Sequence, residues 1–317
     1  MAEIEADRLE KSFGDTLAVR DVSFRVERGE VMGFLGPNGA GKSTTIRMLT
    51  GVYPPSAGRA SIAGHDVVRE KIAARRALGY LPERTPLYGD MAVARYLAFM
   101  AEMKGIPPGE VRGAIARAME AAAVGHVAHR LVGNLSKGYR QRVGIAQAIL
   151  GDPRVLILDE PTSGLDPEQA AEIRSLIRGL ADERRTVVLS SHILSEVERI
   201  CSRVIVMAGG RILAVDEPAR LEERLRPFRE YRVCVVASAA DVRASLERIA
   251  GVASVEPEGE SVGAELQLRV RVAHGCDARA EIARVVVEQG GGLVELYPVA
   301  MTLEEIFLRL VAREEAP

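Results

Sequence analysis

Short apolar runs that end in glycine or in polar residues recur through the first two thirds of the chain. Val31–Leu35, Val155–Leu158, Thr186–Leu189 and Val204–Met207 are continuous stretches rich in valine, leucine and isoleucine. Such runs are typical of strands buried on both faces of a parallel sheet. Weaker β-like runs predict further short strands, at Ala18–Val22, Ser23–Val26, Arg59–Ala63 and near Leu78.

Helical periodicity fills the intervals between these strands. A helix is predicted over Thr44–Leu49, and another from Leu135 through Ile149, where Asp152-Pro153 stops it. Residues 91–131 form a helical block of about three segments, broken at residues 105–109. The four methionines of this block could offer an adaptable binding surface, but core packing is the favoured interpretation: Met91, Met100, Met103 and Met119.

A change of composition near residues 217–230 separates a second region from the first. Residues 217–229 predict a charged, helical linker, and residues 230–317 predict the order βαββαβ followed by a last helix. Thr302 and Glu305 have the spacing of a capping box at the start of that helix. We therefore expect domains at residues 1–216 and 230–317, the second a small α+β domain of ferredoxin-like type.

Composition and charge exclude several classes of protein. The 317 residues are 47% hydrophobic and 27% charged, with a formal net charge of −2, so no global attraction to nucleic acid is expected. No apolar stretch is long enough for a spanning helix and no signal peptide is visible. Cys201, Cys234 and Cys276 lack metal-ligand spacing and fit reduced, buried thiols of a cytoplasmic protein.

One motif carries most of the chemical information. Residues 36–44, Gly-Pro-Asn-Gly-Ala-Gly-Lys-Ser-Thr, fit the G-x-x-x-x-G-K-[ST] phosphate loop, with a strand before it and a helix after it. The loop amides and the positive end of the helix would bind phosphates. Lys42 would reach the β- and γ-phosphates, and the Ser43 hydroxyl would hold Mg²⁺. A chance glycine-rich turn is the weaker alternative.

Acidic and histidine residues follow two of the predicted buried strands. Asp159 and Glu160 end one strand, and His192 comes directly after another. The carboxyl ends of parallel strands face the ligand crevice, so Asp159 could support Mg²⁺ and Glu160 could take a proton from an attacking water. Alone, such a pair would as readily be a solvated strand end, but beside a phosphate loop it indicates a nucleotide-hydrolysing site.

These motifs, in this order, resemble the ATP-binding cassette (ABC) ATPases that drive ABC transporters. Residues 135–139, Leu-Ser-Lys-Gly-Tyr, are similar to the family signature, residues 155–161 to its Walker B strand and residues 163–166 to its D-loop. The resemblance covers about residues 3–215. It implies an α/β P-loop NTPase fold of ABC type, with a RecA-like core, an antiparallel β subdomain and a helical subdomain near residues 91–150.

The resemblance also implies roles for individual residues. Phe13 stands where an aromatic side chain stacks on adenine. The phosphates and Mg²⁺ are held by the loop residues Gly36, Pro37, Asn38, Gly39, Ala40, Gly41, Lys42, Ser43 and Thr44, with Asp159 supporting the metal. Glu160 polarises the lytic water and His192 contacts the γ-phosphate. Ser136 and Gly138 serve the ATP held by an opposite subunit, and Asp166 of the D-loop is a further nucleotide-binding residue.

Three positions depart from the family pattern. Lys137 and Tyr139 replace a glycine and the glutamine of the signature, and Glu83 stands where a glutamine contacts Mg²⁺. A carboxylate can still bind a hard cation. These departures and the C-terminal region resemble the drug-export and gliding-motility-associated branch.

The expected function is an ATPase that uses ATP and Mg²⁺ to power a separate integral-membrane permease, as an exporter. One phosphate loop and one signature per chain imply a homodimer or a pairing with a sister ATPase, held at the inner face of the cell membrane through the permease. A soluble ABC ATPase acting on ribosomes or DNA is the alternative. Residues 230–317 could sense a ligand or stabilise a dimer.

Overall fold

The computed structural model describes residues 2–181, 185–191, 193–225, 228–236, 239–258, 265–273, 276–299 and 302–314. The chain divides into two compact units. The first comprises residues 1–218 with 307–317, and the second comprises residues 219–306.

The first unit contains two sheets and their connecting helices. Its strands are β1 (Ala2–Phe13), β2 (Thr16–Glu27), β3 (Val31–Leu35), β4 (Ala57–Ile62), β5 (His65–Asp66), β6 (Leu78–Leu81), β7 (Val155–Asp159), β8 (Thr186–Ser191), β9 (Arg203–Ala208) and β10 (Arg211–Asp216). Its helices are α1 (Lys42–Leu49), α2 (Lys71–Arg76), α3 (Val93–Met103), α4 (Pro108–Ala121), α5 (Lys137–Ile149), α6 (Pro167–Leu180) and α7 (Leu194–Ile200).

A six-stranded sheet forms the centre of this unit, in the order β10-β9-β3-β8-β7-β6. β3 lies parallel to β8 and β9, and β7 lies parallel to β6 and β8. Every residue of β7 and β8 is buried, because helices cover both faces of a parallel sheet. The continuous apolar runs therefore predicted these strands correctly, and β10 pairs antiparallel with β9 at the edge of the sheet.

The second sheet, β2-β1-β4-β5, differs from its sequence prediction. The two short runs near residues 18–26 are one strand, β2, and it pairs with β1, which the sequence analysis missed. Arg8 and Asp21 have φ of +47° within these strands, and the pairing register shifts in their neighbourhood. These bulges break the two-residue alternation from which a strand is recognised.

The helical block consists of α3 and α4 with two short 3₁₀ turns, Gly125–Val127 and Val132–Asn134. α4 begins at Pro108, which suits the first helical position. The expectation that the methionines pack in the core is wrong for Met103, whose exposed fraction is 69%. The other three methionines of the block are half-buried.

The second unit contains a four-stranded antiparallel sheet in the order β12-β13-β11-β14. The elements from residue 218 onward are α8 (Pro218–Leu225), β11 (Phe228–Val236), α9 (Ala239–Leu246), β12 (Val252–Pro257), β13 (Glu265–Ala273), α10 (Arg279–Glu288), β14 (Gly292–Val299) and α11 (Leu303–Glu314). From β11 to α11 these elements follow the predicted order, βαββαβ and a last helix, and the ferredoxin-like class of this unit stays a prediction. The capping box is present: the Thr302 amide donates to Glu305 Oε2 at 3.0 Å, and the Glu305 amide donates to Thr302 Oγ1 at 3.3 Å.

The cysteine prediction holds only in part. All three cysteines are free thiols and two of them are buried, but Cys276 is exposed. Among the described residues, no helix combines the length and the apolar character needed to cross a membrane.

Lys104, the C-cap residue of α3, is hydrogen-bonded to the C-terminal end of α5. Its ammonium donates hydrogen bonds to the carbonyls of Gln147 (2.7 Å), Ala148 (2.9 Å) and Leu150 (3.0 Å). The last carbonyls of a helix have no partners within the helix, so the lysine acts as a C-terminal cap of α5.

We expect Lys104→Met to lower the free energy of unfolding by about 1–3 kcal/mol, because buried carbonyls lose their donor. Burial lowers the pKa of Lys104 to about 8, so the cost of burying its charge offsets part of what the hydrogen bonds contribute. Urea unfolding measures the change. The exposed Lys71, substituted in the same way, is the control, and equal stability of the two variants would contradict the capping role.

Candidate active site

A cavity of about 480 Å³ lies at the carboxyl end of β3, where the sequence places the phosphate loop. It collects many of the predicted site residues. Its lining consists of Phe13, Ala18, Asn38, Gly39, Ala40, Gly41, Lys42, Ser43, Thr44, Glu83, Glu160 and Ser163. Gly36 and Pro37 lie outside this lining and act through their backbone carbonyls, as described below.

The conformation of the loop requires glycine at Gly36 and Gly41. Gly36 has φ of +151°, and a Cβ there would lie 2.3 Å from the Met207 carbonyl oxygen. Gly41 has φ of +100°, and a Cβ there would lie 3.0 Å from the Ala18 carbonyl oxygen. α1 starts after Gly41 without a side-chain cap, so the amides of its first turn remain available for an anionic group.

Lys42 is held across the loop by backbone carbonyls. Its ammonium donates to Gly36 O at 2.7 Å and to Pro37 O at 3.1 Å. Burial lowers the pKa of Lys42, and the nearby carboxylates of Glu160, Asp159 and Glu83 act in the opposite direction. The site therefore holds three carboxylates near one ammonium group. A bound polyphosphate with its divalent cation would change the charges around that ammonium group.

Asp159, at the end of β7, connects this strand to β8 and to the first turn of α1. Its Oδ1 accepts a hydrogen bond from Ser43 Oγ at 3.3 Å and another from Ser190 Oγ at 2.6 Å. Ser190 Oγ in turn accepts from the Glu160 amide at 2.9 Å. Asp159 is 1% exposed, and a buried carboxylate needs such donors.

Ser190 is a site residue that the sequence analysis did not identify. It is completely buried, and the register of the sheet places it directly opposite Asp159. Its signal in the sequence is only a hydroxyl at the end of a buried strand. The strand pairing had to be known before that hydroxyl could be assigned to the carboxylate.

Glu160 has an unusual backbone conformation for a residue with a side chain. Its φ is +50°, which costs free energy for any L-residue other than glycine. Glu160 is 9% exposed and lines the cavity beside Ser43. A strained residue at a strand end suits a group whose orientation matters for chemistry.

Phe13 is exposed rather than packed in the core, where an isolated phenylalanine is most often found. Its exposed fraction is 45%, and its ring packs edge-on against Tyr53 with centroids 5.4 Å apart. The Lys11 ammonium lies 5.3 Å from the ring centroid. Phe13 therefore presents an aromatic surface at the mouth of the cavity, where the family resemblance predicts one.

The oxygen atoms around Ser43 suit a hard divalent cation. Ser43 Oγ and Asp159 Oδ1 lie 3.3 Å apart, and Glu83 lines the same cavity. Mg²⁺ prefers oxygen ligands and is held by few protein groups together with substrate phosphates. Among the described residues, no group of three or more His, Cys, Asp or Glu side chains could by itself hold a metal ion.

The signature residues and Asp166 do not line this cavity. Ser136 is the N-cap of α5, where its Oγ accepts from the Tyr139 amide at 3.3 Å. Gly138 is buried, and a Cβ there would lie 2.5 Å from Gln169 Oε1. Asp166 caps α6 by accepting from the Gln169 amide at 2.8 Å.

Tyr139 departs from the signature; its hydroxyl is hydrogen-bonded to His126 Nε2 at 2.9 Å, and its amide donates to Ser136 Oγ at the start of α5. His192 lies outside the described residues, and its role stays a prediction.

Comparison with known proteins identifies the relatives of this chain. A family model described as ABC transporter matches residues 19–163, and one described as an AAA domain, putative AbiEii toxin, matches residues 130–198. The bacitracin transport ATP-binding protein BcrA of Bacillus licheniformis is 32% identical over 309 residues, 97% of each chain. The Nod factor export ATP-binding protein I of Rhizobium sp. (strain N33) is 35% identical over 316 residues, 98% of this chain and 97% of the relative.

Solved structures with the same fold are ABC cassettes. The cbiO1 protein from Clostridium perfringens, part of an ABC transporter complex, has a TM-score of 0.64 and 29% identity over 69% of this chain and 90% of its own. The ADP conformation of the cassette MJ1267 has a TM-score of 0.62 and 26% identity over 68% and 91%. Together with relatives that match almost the whole length, these findings show that the chain belongs to the family of ABC transporter ATP-binding subunits.

Proposed function

We propose that this chain binds MgATP in the cavity next to Gly36–Thr44 and hydrolyses it to drive export through a separate permease. The observation that supports this best is the shared lining of the cavity, which brings Phe13, Lys42, Ser43, Glu83 and Glu160 together from distant parts of the chain. The named relatives act in bacitracin transport and in Nod factor export. The direction of transport is taken from them, and the cargo would be chosen by the permease.

Ser43, Asp159 and Glu83 would hold Mg²⁺ beside the terminal phosphates. When bound, the ion would neutralise charge that develops on the transferred phosphoryl group. Lys42 would exchange the Gly36 and Pro37 carbonyls for phosphate oxygens. The uncapped amides at the start of α1 would add neutral donors to the same oxygens.

Glu160 would orient the attacking water and accept its proton. Its place at the edge of the cavity and its fixed backbone amide, bonded to Ser190, favour one orientation of the carboxylate. Phosphoryl transfer depends mainly on positioning and on charge stabilisation. Phe13 would stack on the base, with Tyr53 supporting the ring from its edge. His192 would contact the γ-phosphate.

Ser136, Gly138 and Asp166 would act on the nucleotide of a second ATPase subunit. These residues lie at helix starts that carry partial positive charge, yet they are absent from the lining of their own cavity. Each cavity would therefore be completed by the signature of another copy or of a sister ATPase. ATP would close this dimer, and hydrolysis would reopen it.

An exposed aromatic cluster suits the permease contact. The Tyr88 ring lies 5.8 Å from that of Phe99 and 6.0 Å from that of Tyr96, and Tyr88 and Phe99 are 51% and 37% exposed. Tyr88 lies in the loop after Glu83, so a movement of the permease here would reach the nucleotide site along a short stretch of chain. A permease bound at this face would hold the chain peripherally at the inner side of the membrane.

We expect Gly36→Ala to weaken ATP binding, because the added Cβ would collide with the Met207 carbonyl. A strain of about 1–3 kcal/mol corresponds to roughly 5- to 150-fold in affinity. Titration with a fluorescent ATP analogue measures this. Gly64→Ala is the control, since Gly64 has φ of +84° with no atom within 4 Å of the added Cβ. Equal affinity of the two variants would contradict the role of the loop.

We expect Glu160→Gln to bind ATP with nearly unchanged affinity and to hydrolyse it roughly 10²–10⁴ times more slowly, because the amide cannot accept the proton. Phosphate release measures turnover, and light scattering would detect accumulation of an ATP-bound dimer. Glu102→Gln, on the exposed side of α3, should behave as the wild type. A Glu160→Gln variant with wild-type turnover would rule out Glu160 as the base.

We expect Phe99→Asp to reduce co-purification of the permease from membranes by roughly 30-fold or more, as at an interface hot spot. Val287→Asp, at a 64% exposed position of α10, is the matched control. Circular dichroism checks that both variants are folded. Recovery of the wild-type chain with ribosomes or DNA and without a membrane protein would contradict the transport function.

A further inference from the structure

A buried polar cluster that does not line the nucleotide cavity joins the turn after β7 to α6 and α7. Thr162 is 4% exposed, Glu196 is 7% exposed, and the Arg174 side chain is 12% exposed. None of the three lines the cavity. Buried charges are rare unless they are paired and hydrogen-bonded, and here each of the three side chains has a partner within the cluster.

Both carboxylate oxygens of Glu196 are occupied, each by a different element. Thr162 Oγ1 donates to Glu196 Oε2, and Arg174 Nη1 donates to Glu196 Oε1 at 2.8 Å. Thr162 follows Glu160 by two residues, Arg174 lies on α6, and Glu196 lies on α7. One carboxylate therefore connects the turn that carries Glu160 to the helix that Asp166 caps.

A second hydrogen bond fixes the other end of the same turn. The Glu160 amide donates to Ser190 Oγ at 2.9 Å, so residues 160–162 are fixed at one end by Ser190 and at the other by Glu196. Glu160 keeps φ of +50° between these two contacts. An unfavourable backbone conformation persists only where the surroundings impose it.

We propose that Glu196 is a positioning residue for ATP hydrolysis, which fixes the Glu160 carboxylate through Thr162 and couples that carboxylate to α6 through Arg174. This inference rests on the proposed role of Glu160 as the base. A carboxylate suits both contacts, because it accepts from a hydroxyl and from a guanidinium at once. A misplacement of the base by about 1 Å can cost roughly 10²-fold in rate without loss of substrate affinity.

Glu196→Gln replaces the carboxylate by an amide, which cannot accept both hydrogen bonds. The amide oxygen can still accept from one partner, but the amide nitrogen then faces a second donor. We expect kcat for ATP to fall roughly 10- to 100-fold, while KM and the affinity for a fluorescent ATP analogue change less than about threefold. A purely structural role would instead lower thermal stability and nucleotide affinity along with kcat.

Thr162 supplies a rescue test. Thr162→Ser keeps the hydroxyl and should retain kcat within about threefold of the wild type, whereas Thr162→Val keeps the shape and should lose as much activity as Glu196→Gln. Because the Thr162 hydroxyl acts through its contact with Glu196, the double variant Thr162→Val/Glu196→Gln should be no slower than the slower single variant.

Asp152→Asn is the matched control, an acid-to-amide change in the ion pair with Arg185 at the other end of β7. Its kcat should equal that of the wild type. The proposal is overturned if Glu196→Gln or Thr162→Val retains wild-type kcat, or if kcat and affinity fall in parallel. Glu160→Gln, measured alongside, separates the two claims: loss of its turnover with an unaffected Glu196→Gln overturns only the positioning role, and wild-type turnover of Glu160→Gln overturns both.

Discussion

The site depends on the hydrogen bonds that the buried Asp159 carboxylate accepts. This carboxylate lies at the carboxyl end of β7, accepts hydrogen bonds from Ser190 on β8 and from Ser43 after β3, and has almost no exposure to water. A buried carboxylate is stable only if its neighbours supply hydrogen-bond donors. The strand order β3-β8-β7 brings the hydroxyls of Ser43 and Ser190 to Asp159, so the site needs both this order and these two serines. Because Ser190 also holds the Glu160 amide, the same contact fixes the residue proposed as the base.

The sequence predicted the parallel part of the fold better than the antiparallel part. Strands β3, β7, β8 and β9 are continuous apolar runs because both of their faces are buried. β1 escaped notice because its inward residues Ile4 and Leu9 are out of phase with each other across the bulge near Arg8. Helix α6 was also missed, although Asp166 and Pro167 mark its start in the way expected of an N-cap and a first helical residue.

The sequence predicted the residues of the site that belong to motifs and missed those defined by contacts across strands and helices. The phosphate loop and the pair Asp159–Glu160 belong to local motifs with fixed spacing, which can be recognised from the sequence alone. Ser190 and Glu196 act on residues about thirty positions away, and their partners are set by the register of β7 and β8 and by the packing of α7. In the sequence, such residues cannot be told from the polar residues of an ordinary strand end or helix.

In the proposed ATPase cycle, the cavity of one chain is completed by the signature helix of another ATPase subunit. The dependence of ATPase activity per chain on protein concentration tests this most directly. If two copies share each site, the activity per chain should rise with concentration and level off where light scattering shows dimers in the presence of ATP. Constant activity per chain from dilute to concentrated protein, with the mass of a monomer throughout, would contradict the account.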